Sequence, residues 1–245
     1  MAEQCFLKNA PIREAIIDLK VAPQVGLAGI ESLAKSLLPQ FPTQGLMKLG
    51  AFGFEIGLGK LSSSFSDGGV VGYRLTSADG KYIIQLRTDG FTFSCLPPYE
   101  GWDAMTEHAK PLWRDYVASS GAVNVTRTAV RNINVVDLPL PAELSDYLIA
   151  SPEIPEGLPQ ELSSFFSRVV IENRDIKATG VVTLALESSS EQQSQLILDI
   201  DVFKVMQEEL TAGDSLIWDT LTQLREFKNK IFFLSITEKT KEMYL

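Results

Sequence analysis

The chain has 245 residues, 45% of them hydrophobic and 22% charged, which is ordinary for a globular protein with room for one large domain or two small ones. Its net charge of −9 argues against general DNA or RNA binding, which rests on phosphate contacts to Lys and Arg. The imbalance concentrates in residues 137–209, with 4 basic and 14 acidic residues, a segment that suits either a solvated surface or a basic partner protein.

Ala15 to Val21 reads as a strand after the turn-prone Asn9-Ala10-Pro11. Leu27 to Leu38 follows as a helix, with Ile30, Leu33, Ala34 and Leu37 at helical spacing and Pro39 to end it. Residues 43–69 are rich in Gly and Ser and read as an irregular region holding one short strand around Phe52, Phe54 and Ile56. Val70 to Thr76 and Tyr82 to Arg87 make a hairpin around Asp79-Gly80, and a turn at Thr88-Asp89-Gly90 leads to a third strand, Phe91 to Leu96. Trp102 to Val117 reads as a helix that Pro111 should kink or break.

Val123 to Val136 alternates as a long strand. The proline-rich stretch 137–161 reads as a loop with one short helix at Ala142 to Ile149, and Leu162 to Val170 is ambiguous, with helix favoured for its first half. Gly180 to Glu187 and Gln195 to Phe203 form another antiparallel pair, joined by Ser188-Ser189-Ser190-Glu191, while Val205 to Leu210 is undecided. Asp214 to Leu245 reads as one long helix capped by Asp214, with an apolar stripe of Ile217, Leu221, Leu224, Phe227 and Ile231. Arg225, Lys228 and Lys230 fall towards its C-terminal end, where cations complement the dipole. Phe232, Leu234 and Ile236 alternate, as in a short added strand or an anchor for the chain end.

Laid side by side, residues 1–120 and 121–245 repeat one order: strand, helix or helical loop, hairpin strands, long Trp-containing helix. Neither half alone buries its sheet face. The expected fold is α+β, a duplicated β-α-β-β(-β)-α unit forming a largely antiparallel sheet with long helices on one face, both halves in one compact domain.

Cys5 and Cys95 lack metal or redox spacing and fit reduced thiols; no run reaches the roughly 18 apolar residues of a membrane span. A cytoplasmic protein without a membrane role is expected. His108, the sole histidine, reads as a helix-surface or packing residue rather than part of a triad. The glycine-rich run 45–60 fails as a phosphate loop: Phe54 stands where its first Gly belongs and Leu61 where Ser or Thr would meet magnesium. Ser32 and Lys35 match S-x-x-K without its companion motifs. No cofactor is implied.

Two constellations survive. Asp199 and Asp201 point to one side of a strand, as in a divalent metal site or the wet outer face of a half-buried strand, and the second is favoured. Arg127 and Arg131 share a strand face and fit a carboxylate or phosphate clamp, or an ion network with those aspartates should the strands adjoin; the network is favoured.

Phe6-Leu7-Lys8-Asn9-Ala10-Pro11-Ile12-Arg13-Glu14-Ala15 resembles the opening of the sporadically distributed bacterial TIGR04255 family. Val130-Arg131-Asn132-Ile133-Asn134 is similar to a second motif, with Asn132 where an aromatic residue is usual. Leu198-Asp199-Ile200-Asp201, Leu224-Arg225-Glu226-Phe227-Lys228-Asn229 and Phe232-Phe233-Leu234-Ser235-Ile236-Thr237-Glu238 extend the likeness over nearly the whole chain. The resemblance implies a bacterial protein of about this length, brings no established activity, and hints at mobile elements or phage defence.

Three functions are therefore expected in order. The first is a non-enzymatic binding or accessory module for another protein, through the acidic 137–209 segment, with a homo-oligomer also in view. The second is a small-ligand or nucleotide binder with a pocket between sheet and helices and Arg127 and Arg131 at its mouth. The third is a metal-dependent hydrolase built on Asp199 and Asp201.

Overall fold

The structure is a computed structural model. It describes residues 2–57, 60–122, 124–139, 142–160, 162–188, 193–209 and 215–245, with 50–57, 60–68, 187–188, 193 and 208–209 described by backbone alone. Nine strands form one fully antiparallel sheet in the order β2-β3-β4-β5-β1-β6-β9-β8-β7. They are β1 (Ile12–Ala22), β2 (Thr43–Gly57), β3 (Lys60–Thr76), β4 (Tyr82–Arg87), β5 (Gly90–Cys95), β6 (Asn124–Pro139), β7 (Phe165–Asn173), β8 (Ala178–Ser188) and β9 (Gln193–Glu209). Helices α1 (Leu27–Ser36), α2 (Trp102–Ser120) and α3 (Ser215–Ser235) pack on it, and a short α4 (Glu238–Glu242) follows. The class is α+β, mostly sheet. Among the described residues no helix is long and apolar enough to cross a membrane.

Period-two patterning decides which face the helices cover. On β1, Ala15, Ile17, Leu19 and Val21 are buried, while Ile16, Asp18 and Lys20 turn to the other face. Ile84 and Leu86, Phe91 and Phe93, and Leu198, Ile200 and Val202 add to the same side. These residues form one apolar cluster with Ile30 and Leu33 of α1, Trp113 and Tyr116 of α2, and Ile217, Leu221 and Leu224 of α3. At full burial each such side chain contributes about 1.5–3 kcal/mol. A second cluster of Val136, Leu138, Leu186 and Leu196 is closed by Tyr147 and Leu148.

The two long helices exchange cations over their indoles. Arg225 of α3 lies 5.8 Å from the Trp102 ring centroid, and Lys110 of α2 lies 5.3 Å from that of Trp218. At Gly29, α1 approaches α2 so closely that an added Cβ would stand 1.9 Å from the Ser119 carbonyl oxygen. Gly121 ends α2 at φ +72°, the left-handed conformation that needs no side chain.

Several expectations change. Residues 43–57 and 60–69 are not irregular: β2 and β3 pair over most of their length, held by backbone register from Thr43↔Thr76 to Gly57↔Lys60 with shifts near Lys48. Pro111 does not break α2, which runs from Trp102 to Ser120 with Pro111 on its exposed side. The stretch 162–170 is not helical; the run Phe165–Asn173 pairs with β8 as a strand. Ala142 to Ile149 shortens to a 3₁₀ turn at Leu144–Asp146. Val205 to Glu209 continues β9.

The final stretch is two helices rather than one. Phe232 and Phe233 stay inside α3, and Ile236 leaves it to bridge Leu148. Thr237 then caps α4 by accepting from the Thr240 N–H. The Asp214 cap, the start of the long strand at Val123, the Ser189-Ser190-Glu191 turn and the Leu58-Gly59 part of the glycine-rich run lie outside the described residues.

Candidate functional site

A cavity of about 300 Å³ lies between the sheet and the helices, beside the central β1–β6 pair. Its floor is Asn132 and Asn134 of β6 with Ile200 of β9; α3 supplies Arg225, Lys228, Asn229 and Phe232; the start of α2 and the arm at Cys5, Phe6 and Leu7 complete the wall.

Lys228 is its chemical centre. It sits four residues after Leu224 and three before Ile231, inside the buried stripe of α3, and is only 6% exposed. Among the described residues its ammonium has no hydrogen-bond or ion-pair partner. Burial, reinforced by the nearby Arg225 charge, pulls its pKa down to about 7. An uncompensated cation in this setting is costly, and an anion entering the cavity would supply what the described residues do not.

The rest of the lining is consistent with that need. Residues 101–104 open α2 at the cavity, and Gly101 provides no side-chain cap, so the positive helix end points there with its first amides free of one. Asn132 is buried, while Asn134 donates through Nδ2 to the Leu198 carbonyl at 2.9 Å, which fixes that amide. Tyr99 is pushed up to about 12 by burial and stays a neutral hydroxyl. Glu100 and Asp103 are the acidic residues of the lining, and Glu100 is paired with Lys81.

The arm that walls the cavity is tied to the chain end. The Ala2 N–H lies 3.2 Å from the Phe233 and Ile236 carbonyls, and the Glu3 N–H donates to Glu238 Oε1 at 2.9 Å. The Asn9 N–H donates to the Tyr244 carbonyl at 3.2 Å.

Arg127 and Arg131 do not stand at this cavity. They lie on the opposite face of the sheet, in a second hollow of about 280 Å³ with Glu14, Asp18, Arg87, Thr92 and Asp201. Because β6 and β9 adjoin, with Arg131 opposite Asp201, arginines and aspartates meet there. Arg131 grips Asp199 with both Nε and Nη2, at 2.8 and 2.6 Å. Arg127 donates to Asp201 and to Asp18, each at 3.1 Å, and stacks 4.4 Å from the Phe203 centroid. Arg87 takes the other Asp18 oxygen at 2.7 Å and reaches Asp89, which also pairs with Lys20.

The result is a ladder of four cations and four carboxylates across five adjacent strands or their turns. Burial still raises the Asp201 pKa against the pull of Arg127 and Arg131. Asp199 and Asp201 are each held by an arginine, and among the described residues no group of three or more His, Cys, Asp or Glu is placed to hold a metal ion. His108 is exposed on α2 against Tyr82, at 4.6 Å between centroids, and is not part of the cavity lining.

The sequence implies a pocket between sheet and helices, but Arg127 and Arg131 line the outer hollow instead, and Lys228, Asn132 and Asn134 line the inner one. One signal was present: Lys228 occupies an apolar position of the α3 period, and Asn132 and Asn134 occupy the buried parity of β6 between Val130 and Val136. No family model matches the chain, and no curated protein matches it either.

Proposed function

We propose that the protein binds a small anionic molecule, a carboxylate or phosphate compound, in the cavity between sheet and helices. The observation that carries this reading is Lys228, buried and without a counter-charge among the described residues, facing a space large enough for a metabolite-sized ligand. Arg225, the amide of Asn132 and the open amino end of α2 supply further donors around the same space. The reading is of binding, because hydrogen-bond donors of positive or neutral charge converge on the cavity from α3, β6 and the start of α2.

The motif resemblance implies a bacterial protein, and a link to mobile elements or phage defence belongs to the same proposal. The strand order supports an origin by duplication. Counted outward from the β1–β6 pair, each half runs first strand, last strand, then the hairpin strands.

Thermal-shift screening against carboxylates, phosphates and nucleotides at pH 6.5, followed by calorimetry, tests the reading. A compound that stabilises the native chain and loses its effect in Lys228→Met is the expected result. A panel in which no anion binds, or in which Lys228→Met responds equally, overturns it.

A further inference from the structure

The described sheet ends at β7, and β7 is bare. Residues 166–172 are all exposed, including Phe166 at 71%, Val169 at 53%, Val170 at 54% and Ile171 at 39%. Its sequence, FFSRVVIEN, has no proline, glycine or lysine, and its register with β8 runs unbroken from Phe165↔Leu186 to Asn173↔Ala178. Proline, lysine and bulges are common guards of natural edge strands, and β7 has none of these; its edge charges are Arg168 and Glu172 alone. One side of a nine-residue ladder is thus left with unpaired backbone groups and apolar side chains on both faces.

Charge placement selects the partner. When two copies of β7 meet antiparallel with Val170 opposite Val170, Arg168 of each faces Glu172 of the other, twice by symmetry. Val169 then faces Ile171, and Phe166 faces Arg174, the residue after the strand. Other centres lose this match: centring on Ile171 sets Arg168 against Arg174, and centring on Val169 sets Phe166 against Glu172. An isologous contact needs this kind of self-complementarity.

We propose that β7 is the seam of a homodimer, pairing with β7 of a second copy about an axis through Val170 and joining two nine-stranded sheets into one. The axis runs perpendicular to the sheet, so the helices of both copies lie on one side and both cavities stay open.

Sedimentation and directed cross-linking test this in the full chain. Wild-type protein is expected to sediment as a dimer. Arg168→Glu weakens association about tenfold or more through two like-charge pairs, and Arg168→Glu combined with Glu172→Arg restores it. In a Cys5→Ser background, Val170→Cys is expected to form a covalent dimer on mild oxidation, whereas Leu38→Cys, also exposed and just past α1, does not. A monomeric wild type overturns the proposal. So does a dimer that ignores Arg168→Glu and fails to cross-link at position 170, since its seam lies elsewhere.

Discussion

Replacing Lys228 by Met puts the buried cation to a direct test. The folded chain lowers the Lys228 pKa from 10.5 to about 7. At about 1.4 kcal/mol per pH unit, that fall opposes folding by up to about 5 kcal/mol below pH 7. The sign follows from proton counts: between pH 7 and 10.5 the unfolded chain holds this proton and the folded chain does not, so stability rises with pH. From pH 7 to pH 9 the wild type is expected to gain up to about 3 kcal/mol from this residue. Methionine keeps most of the apolar stem and carries no charge. Urea unfolding followed by tryptophan fluorescence across pH 6–9 measures both proteins. The variant should be the more stable one below pH 7, and the gap should narrow as pH rises. Parallel curves for the two proteins would refute the reasoning.

The outer ladder makes the contrasting prediction. Arg131→Ala leaves the Asp199 carboxylate, 18% exposed, without its two-point partner, which should cost about 1–3 kcal/mol in urea unfolding and leave ligand affinity in the cavity unchanged. Gly29→Ala forces a Cβ against the Ser119 carbonyl and should lower stability by about 1–3 kcal/mol in the same assay. Truncation after Lys230 removes Phe232, Phe233 and Ile236, buried to 8%, 7% and 0% exposure, and should destabilise the fold by several times about 1.5 kcal/mol. An unchanged melting curve for that truncation would show that the chain end packs elsewhere.

Periodicity carried much of the fold, and its failures share physical causes. The strands around Ile17, Ile84 and Leu198 bury one face and so alternate in sequence, and Tyr82–Arg87 was read to the residue. The strand β7 buries neither face, so alternation had no reason to be selected, and only the β-branched run Val169-Val170-Ile171 hinted at it. The β2–β3 pair is held by backbone register through glycine- and serine-rich sequence, which period-two counting does not register. Pro111 misled because a proline disturbs a helix most where its surroundings are dry, and this one is exposed.

The candidate site divides along the same line. Arg127, Arg131, Asp199 and Asp201 were legible as a charged face, and their pairing required only that β6 and β9 adjoin. In sequence Lys228 falls among the cations towards a helix end, with no residue to mark where that end lies; in the structure it sits within α3, seven residues before Ser235. Its position within the apolar period, rather than its charge, was the informative property.

The pairing of β1 with β6 has a consequence for synthesis on the ribosome. Once Cys95 has emerged, β1 can close against β5, yet its other side stays an open edge until Pro139 follows 44 residues later. At about 5–20 residues per second that interval lasts roughly 2–9 s. The strand that ends at the middle of the finished sheet therefore begins as one of its open edges. Crowded translation should be the moment when this chain is most prone to join the wrong neighbour.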